Sequence, residues 1–292
     1  MKAKTIKAVL QKKHNEFLSS IEDETVKKRV AANSIITGGC IVSMLLGEKV
    51  NDFDYYFRDF ETALAVASYY ADRFTKEYGG EVGVRVLDDV SPKRVKLFVR
   101  SKGIEGNIPD AETESIEAVG LGELIEKEEP AELPKYRPVY LTSNAITLSN
   151  KIQLVVRFYG EPEEIHKNYD FVHCTCYWDS KTGNLVLPAG ALESILTKEL
   201  RYVGSLYPLC SLFRIRKFVQ RGWTINAGQV LKMALHLNEM DLLDIEVLED
   251  QLIGVDSAYF MDCISRIKEA AENDDNFKLT APYLFSIIDK IF

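Results

Sequence analysis

The sequence predicts an α/β (α+β) head with a mixed sheet, followed by a helical C-terminal domain. Three observations carry this. Between residues 34 and 99, strand-like apolar runs alternate with helix-like periodicity in the order strand, helix, strand, helix, strand. A glycine pair, Gly38-Gly39, joins the first strand to a short helix, and a β-like run carrying two alternating aspartates, Asp52 and Asp54, comes next. From Ala191 onward the pattern turns helical for the rest of the chain.

The elements follow in order. Ile6, Val9, Leu10, Phe17, Leu18 and Ile21 recur with Lys and Glu between them, which predicts a helix over residues 5–32. Ser34 to Thr37 reads as a short strand, and Glu61 to Tyr78 as a helix with one apolar face. Val82 to Leu87 and Arg94 to Val99 read as strands. Residues 101–138 carry scattered Gly and Pro amid acidic residues and predict an extended loop insertion, with a short helix near Glu112 to Glu126. It is either a solvated spacer or a lid. Ala145 to Leu148, Ile152 to Phe158 and Asp170 to Trp178 read as strands, with a helical turn at Pro162 to His166. Gly222 and Asn226-Ala227-Gly228 punctuate the helical third, where Leu231, Ala234, Leu235, Leu237 and Met240 form a stripe. The expected division is a head over 1–187 and a helical domain over 188–292.

Composition narrows the function classes. The 292 residues are 46% hydrophobic and 27% charged, ordinary for a globular protein. No apolar run approaches the roughly 20 residues that span a bilayer, and the Lys-rich N-terminus lacks a signal-peptide core. A cytoplasmic location is expected. The net charge of −8 is concentrated: ten acidic residues and one Lys lie between Glu105 and Glu132, leaving the remainder near +1. Net charge therefore does not exclude phosphate or nucleic-acid partners. The five cysteines are scattered, and Cys174 and Cys176 read as buried small hydrophobes rather than zinc ligands. His14, His166, His173 and His236 are dispersed and give no sign of histidine catalysis.

The chemistry gathers near the glycine pair. In a strand, residues i and i+2 share a face, so Asp52 and Asp54 project together with Phe53 and Tyr55 behind them. Two adjacent carboxylates repel unless a cation sits between them. Oxygen ligation of this kind suits Mg²⁺ (or Mn²⁺), which binds one or two carboxylates plus substrate phosphates. A glycine pair before a helix lets backbone N–H groups approach a phosphate.

The order Gly-Gly, apolar helix containing Ser43, turn, Asp-x-Asp resembles the signature of the polymerase-β-like nucleotidyltransferase superfamily. Gly38 to Gly47 is similar to the Gly-Gly-x-Val-Arg-Asp-x-Leu-Leu-Gly motif of class II tRNA nucleotidyltransferases and bacterial poly(A) polymerases. Tyr169-Asp170-Phe171-Val172-His173-Cys174 resembles their Arg-Arg-Asp-Phe-Thr-Ile-Asn-Ala strand, and Leu200-Arg201-Tyr202-Val203-Gly204 their Leu-Arg-x-Val-Gly. The run from Phe213 to Ile225 resembles a further helical block. The blocks span about residues 35–60 and 150–225. Departures are as informative. Val42-Ser43 stands where the family has Arg-Asp, Asn168-Tyr169 replaces two arginines, and Tyr207 to Ser211 replaces the base-reading Glu-Asp-x-x-Arg. Phage and viral members are often trimmed in this way.

The resemblance implies a metal-dependent enzyme that moves a nucleoside monophosphate, AMP foremost, from a nucleoside triphosphate to a hydroxyl, an RNA 3′ end foremost. A protein or small-molecule acceptor, or a non-catalytic nucleotide- or RNA-binding protein, is the alternative. Asp52 and Asp54 would hold metal, while Gly38, Gly39 and Ser43 would contact phosphates. Asp170 would be a third carboxylate, helping to deprotonate the acceptor or hold a metal, or else a ribose contact. Arg157 and Lys167 are triphosphate candidates. Arg214 keeps a cation near the base-reading block, and with Lys217 and Arg221 it forms a one-sided basic stripe that suits a nucleic-acid backbone or a solvated helix equally.

Overall fold

A computed structural model describes residues 1–79, 81–88, 92–100, 134–142, 144–252, 258–274 and 277–291. Two helices open the chain, α1 (Ala3–Ser19) and α2 (Glu24–Asn33). The single helix expected over 5–32 is therefore broken. Asp23 caps the second piece, its carboxylate accepting from the Thr25 and Val26 amides at 2.8 and 2.9 Å, a cap worth about 1 kcal/mol. Ile6, Leu10, His14 and Phe17 form the buried stripe of α1.

The chain continues through β1 (Ser34–Thr37), α3 (Gly39–Leu46), β2 (Phe53–Phe57) and α4 (Phe60–Tyr78). A hairpin follows, β3 (Glu81–Leu87) and β4 (Arg94–Arg100), then β5 (Pro138–Leu141), β6 (Ala145–Leu148) and β7 (Ile152–Tyr159). Next come α5 (Pro162–His166), a 3-10 turn (Val172–Thr175), β8 (Tyr177–Asp179), β9 (Leu185–Val186) and α6 (Ala189–Thr197). The last stretch holds β10 (Glu199–Leu200), α7 (Pro208–Gln220), β11 (Thr224–Ile225), α8 (Ala227–Leu237), α9 (Ile245–Leu252), α10 (Ala258–Asn273) and α11 (Ala281–Ile291).

Seven strands form one sheet in the order β5-β6-β7-β2-β1-β8-β9. It is mixed as expected: β1 pairs antiparallel with β2 and β8, and β2 pairs parallel with β7. The β3–β4 hairpin is a separate two-stranded sheet, so the strand–helix series does not continue into one sheet. Of residues 170–178, expected as one strand, Val172–Thr175 make a 3-10 turn and only Tyr177 and Trp178 enter a strand, β8. That turn aims the Cys174 carbonyl at the Gly38 N–H, 3.2 Å away. The helical third also carries a short parallel pair, β10 with β11. The expected helix near Glu112 to Glu126, and residues 101–133 of the expected loop, lie outside the described residues. Its expected end is structured, since Tyr136 is buried and β5 begins at Pro138.

On β2 the burial alternates: Phe53, Tyr55 and Phe57 enter the core, while Asp54 and Tyr56 face the other way. Phe17 of α1 packs edge-on to Tyr55 with ring centroids 5.2 Å apart. Ala63, Val66, Ala67 and Tyr70 of α4 close over the same core. That core runs through residue 188 without a break, taking in Ala191, Ile195, Leu200, Trp223 and Met233. A second cluster, from Leu248 to Ile287, gathers α9, α10 and α11.

Candidate active site

β1 ends at Thr37, and the chain reverses into α3 through Gly38 at φ 86°. L-residues avoid this region. A Cβ placed on Gly38 would also lie 3.0 Å from Asp54 Oδ2 and 3.5 Å from Tyr169 Oη. Glycine is required here by conformation and by close approach together. At Gly39, by contrast, a Cβ would meet nothing within 4 Å. The first turn of α3 thus opens outward, and first-turn amides have no intrahelical acceptors.

Asp54 is registered with Thr37 on one side and Gln153 on the other. Burial and the Asp52 carboxylate both push the Asp54 carboxyl well above the usual carboxylate range. Tyr56, on the same face, has a phenol raised by burial and by Asp54. Its ring centroid stands 6.1 Å from that of Tyr169, whose phenol is raised by burial, Tyr56 and Asp54. Both therefore remain protonated hydroxyls beside the aspartate. Thr37 Oγ1 donates to the Cys176 carbonyl at 3.0 Å and meets His166 Nε2 at 2.9 Å. Burial holds His166 down at about 4, hence neutral.

The other expected residues are placed as follows. Asp170 is buried ahead of the 3-10 turn, its Oδ2 accepting from Arg214 Nη1 at 2.6 Å. Arg157, on β7, donates to the Tyr207 hydroxyl and lies 5.1 Å over its ring. Lys167 is exposed and bound to Glu164 at 2.6 Å. Ser43, buried on α3, sits 3.5 Å from Arg221 Nη2. Arg221 also pairs with Glu48, which Lys198 reaches at 3.5 Å. Two members of the expected basic stripe, Arg214 and Arg221, are thus each matched to a carboxylate, and Lys217 is exposed.

The structure brings together Gly38, Asp54 and Asp52, and separately Asp170 with Arg214. Sequence reasoning missed Tyr56, Tyr169 and Gln153 as neighbours of Asp54. Tyr56 was legible, two residues beyond Asp54 on one strand face. Gln153 and Tyr169 carry no local signal, because strand register and turn packing place them there.

In outline, then, this is a mixed-sheet α/β protein with a glycine-turn helix set against a crowded aspartate pair. A sequence model described as "Gad2: Gabija anti-defense 2 family protein" matches residues 8–198, and the chain belongs to that family. A relative named "Gabija anti-defense 2", from Bacillus phage SPbetaL7, is 20% identical over 243 residues, covering 82% of this chain and 46% of the relative. The chain therefore spans about half the length of that relative. Among solved structures, a CCA-adding enzyme complexed with ATP overlaps at a TM-score of 0.41 with 13% identity, covering 82% of this chain and 46% of the other. The Thermotoga maritima CCA-adding enzyme complexed with tRNA overlaps at 0.38 with 15% identity, covering 87% and 54%. Overlaps at this level do not define a shared fold. No described helix is long and apolar enough to cross a membrane.

Proposed function

We propose that this protein transfers a nucleoside monophosphate from a nucleoside triphosphate to a hydroxyl. The observation that carries the reading is convergence: the left-handed glycine that opens α3 lies against the Asp54 carboxylate, which is itself crowded by Asp52. The motif resemblance supports the same chemistry. In the balanced reaction the acceptor oxygen bonds the α-phosphorus and the bond to the bridging oxygen breaks. Pyrophosphate leaves with the electron pair, and the hydroxyl proton passes to water.

The donor set fits a divalent cation, since two crowded carboxylate oxygens are costly without one. Asp52 and Asp54 would hold Mg²⁺ or Mn²⁺, which when bound supplies charge neutralisation for the leaving pyrophosphate. The chain's own groups do the rest. Gly38 lets backbone come close to that site, and Gly39 leaves the first turn of α3 open to a phosphate. The protonated Tyr56 and Tyr169 hydroxyls offer donors beside it. Ser43, Arg157, Arg214 and Lys167 stand as nucleotide contacts in this reading, and Asp170 acts through Arg214.

An RNA 3′ end remains the first acceptor, and AMP the first nucleotide. A second acceptor, a hydroxyl on a component of the Gabija defence, is favoured by the family description and by the carboxylates that occupy Arg214 and Arg221. Incubation with each labelled triphosphate and Mg²⁺, offering total RNA or extract from Gabija-bearing cells, tests both. Labelled RNA supports the first acceptor, and labelled protein the second. Asp54→Ala is expected to cut labelling about 1000-fold, on the order of 4 kcal/mol of lost transition-state stabilisation. Triphosphate binding with no pyrophosphate release would sink the reading in favour of a non-catalytic nucleotide-binding protein.

A further inference from the structure

The β3–β4 hairpin forms its own two-stranded sheet, outside the seven strands that carry Asp54. One of its faces is apolar: Val82, Val95 and Leu97 are buried in the core, where the hairpin meets α4 and β7. The other face is basic. Register sets Arg85 directly opposite Lys96, with Arg94 opposite Leu87 and Phe98 opposite Gly83. Residues directly opposite share a face, and like charges there destabilise the pair. Arg85 and Lys96 are exposed, and Arg94 is half-buried. Among the described residues none of the three is ion-paired to a carboxylate, although Lys93 beside them is held by Asp88 at 2.7 Å.

On this face the Phe98 ring covers Gly83, where a Cβ would lie 2.4 Å from it. The Arg85 guanidinium stands 5.3 Å from the ring centroid, and part of the Phe98 surface reaches solvent. Glycine on one strand thus makes room for an aromatic on the other, flanked by cations. Cations without counter-charges suit a chain of phosphates. An aromatic set among them suits an unpaired base, which a duplex keeps inside its stack. We propose that the basic face of the β3–β4 hairpin binds an unpaired nucleic-acid strand, with Arg85, Arg94 and Lys96 on its phosphates and Phe98 against a base. Burial raises the Tyr207 phenol while Arg157 and Arg94 oppose that rise, so Arg94 lies near the Arg157–Tyr207 pair. Arg157 shares a face of β7 with Gln153, the neighbour of Asp54. A strand held on the hairpin therefore meets its next cation on the side that carries Asp54.

Binding at the hairpin needs neither a metal nor the transfer reaction. Fluorescence anisotropy of the full chain with labelled oligouridine in EDTA therefore tests it separately from the proposed activity. The wild type is expected to bind at low salt, and a duplex of equal length to compete poorly. Arg85→Gln combined with Lys96→Gln removes two phosphate contacts. It should lower the slope of log affinity against log salt by about 1.4 and weaken binding roughly tenfold. Phe98→Leu keeps an apolar side chain over Gly83 and should weaken binding about tenfold with the slope unchanged. No binding by the wild type, or a slope that the double variant leaves unchanged, overturns the proposal, and RNA labelling in the transfer assay would stand regardless. Polyglutamate that displaces oligouridine at equal strength, with Phe98→Leu neutral, overturns it in favour of an acidic protein partner. A double variant that loses urea stability and keeps its binding overturns it too, since the cations then serve the fold. Should circular dichroism show Phe98→Leu unfolded, the double variant and the duplex competition decide.

Discussion

Asp54 and Asp179 stand on one sheet, on the two strands that flank β1, and are held in opposite states. Their partners on β1 are Thr37 and Ile35, two residues apart, so both face the same side. At Asp179, burial alone would raise the carboxyl. Arg58 at 2.9 Å, the Thr182 hydroxyl at 2.8 Å and the Lys181 amide at 2.9 Å hold it below its ordinary value instead. At Asp54, burial and Asp52 push the same way, upward. A carboxylate the fold uses for itself is surrounded by matched donors. One crowded against its own kind carries a cost that a ligand can relieve.

The largest expected effect tests that contrast directly. Asp179→Ala leaves Arg58 with its main buried counter-charge removed and should cost about 3 kcal/mol of stability in urea unfolding. Asp54→Asn should have the opposite sign and raise stability by about 1 kcal/mol, as substitutions that relieve a strained functional site often do. Loss of stability in both variants would break the comparison.

Acid stability sharpens it. Burial holds His14, His166 and His173 down at about 4, against an ordinary 6.5. Below pH 6.5 the unfolded chain takes up protons that the folded chain refuses. Stability is therefore full above pH 6.5 and falls as pH drops toward 4. His173, fully buried beside Trp223 and Phe218, should account for about 2 kcal/mol of that loss by pH 5. Urea midpoints of the wild type and His173→Phe at pH 7.5 and 5 measure it, and parallel slopes in the two proteins would disprove it.

The smallest effects separate the two glycines. Gly38→Ala forces a side chain into a left-handed backbone and to 3.0 Å from Asp54 Oδ2, and should cost about 1–2 kcal/mol. Gly39→Ala meets open space and should change stability by under about 0.5 kcal/mol. If Gly39→Ala nonetheless weakens triphosphate binding tenfold by calorimetry, the open turn is a phosphate cradle. Unchanged binding removes Gly39 from the site.

Local patterns were readable where local chemistry sets them. The alternation of Phe53, Tyr55 and Phe57 with Asp54 and Tyr56 is a period-2 signal, and it placed β2 and its faces. The α1–α2 break was harder, because the apolar spacing continues across Ile21 while the Asp23 cap restarts the helix. Residues 170–178 misled for a related reason. Their alternation fits a strand, but the backbone coils so that the Cys174 carbonyl meets the Gly38 amide, a contact between residues 136 apart in sequence.

By itself, the sequence determined a glycine turn into a short helix and a strand with Asp54 on the face opposite Phe53 and Tyr55, since both follow from the dihedral freedom of glycine and the two-residue repeat of a strand; Asp52 lies just ahead of that strand. Only the tertiary structure decided what stands around them. Strand register put Gln153 and Thr37 on either side of Asp54, and turn packing brought Tyr169 against Gly38. Long-range docking of α7 gave Asp170 to Arg214. Such pairings depend on which surfaces bury together, and no window of neighbouring residues encodes that.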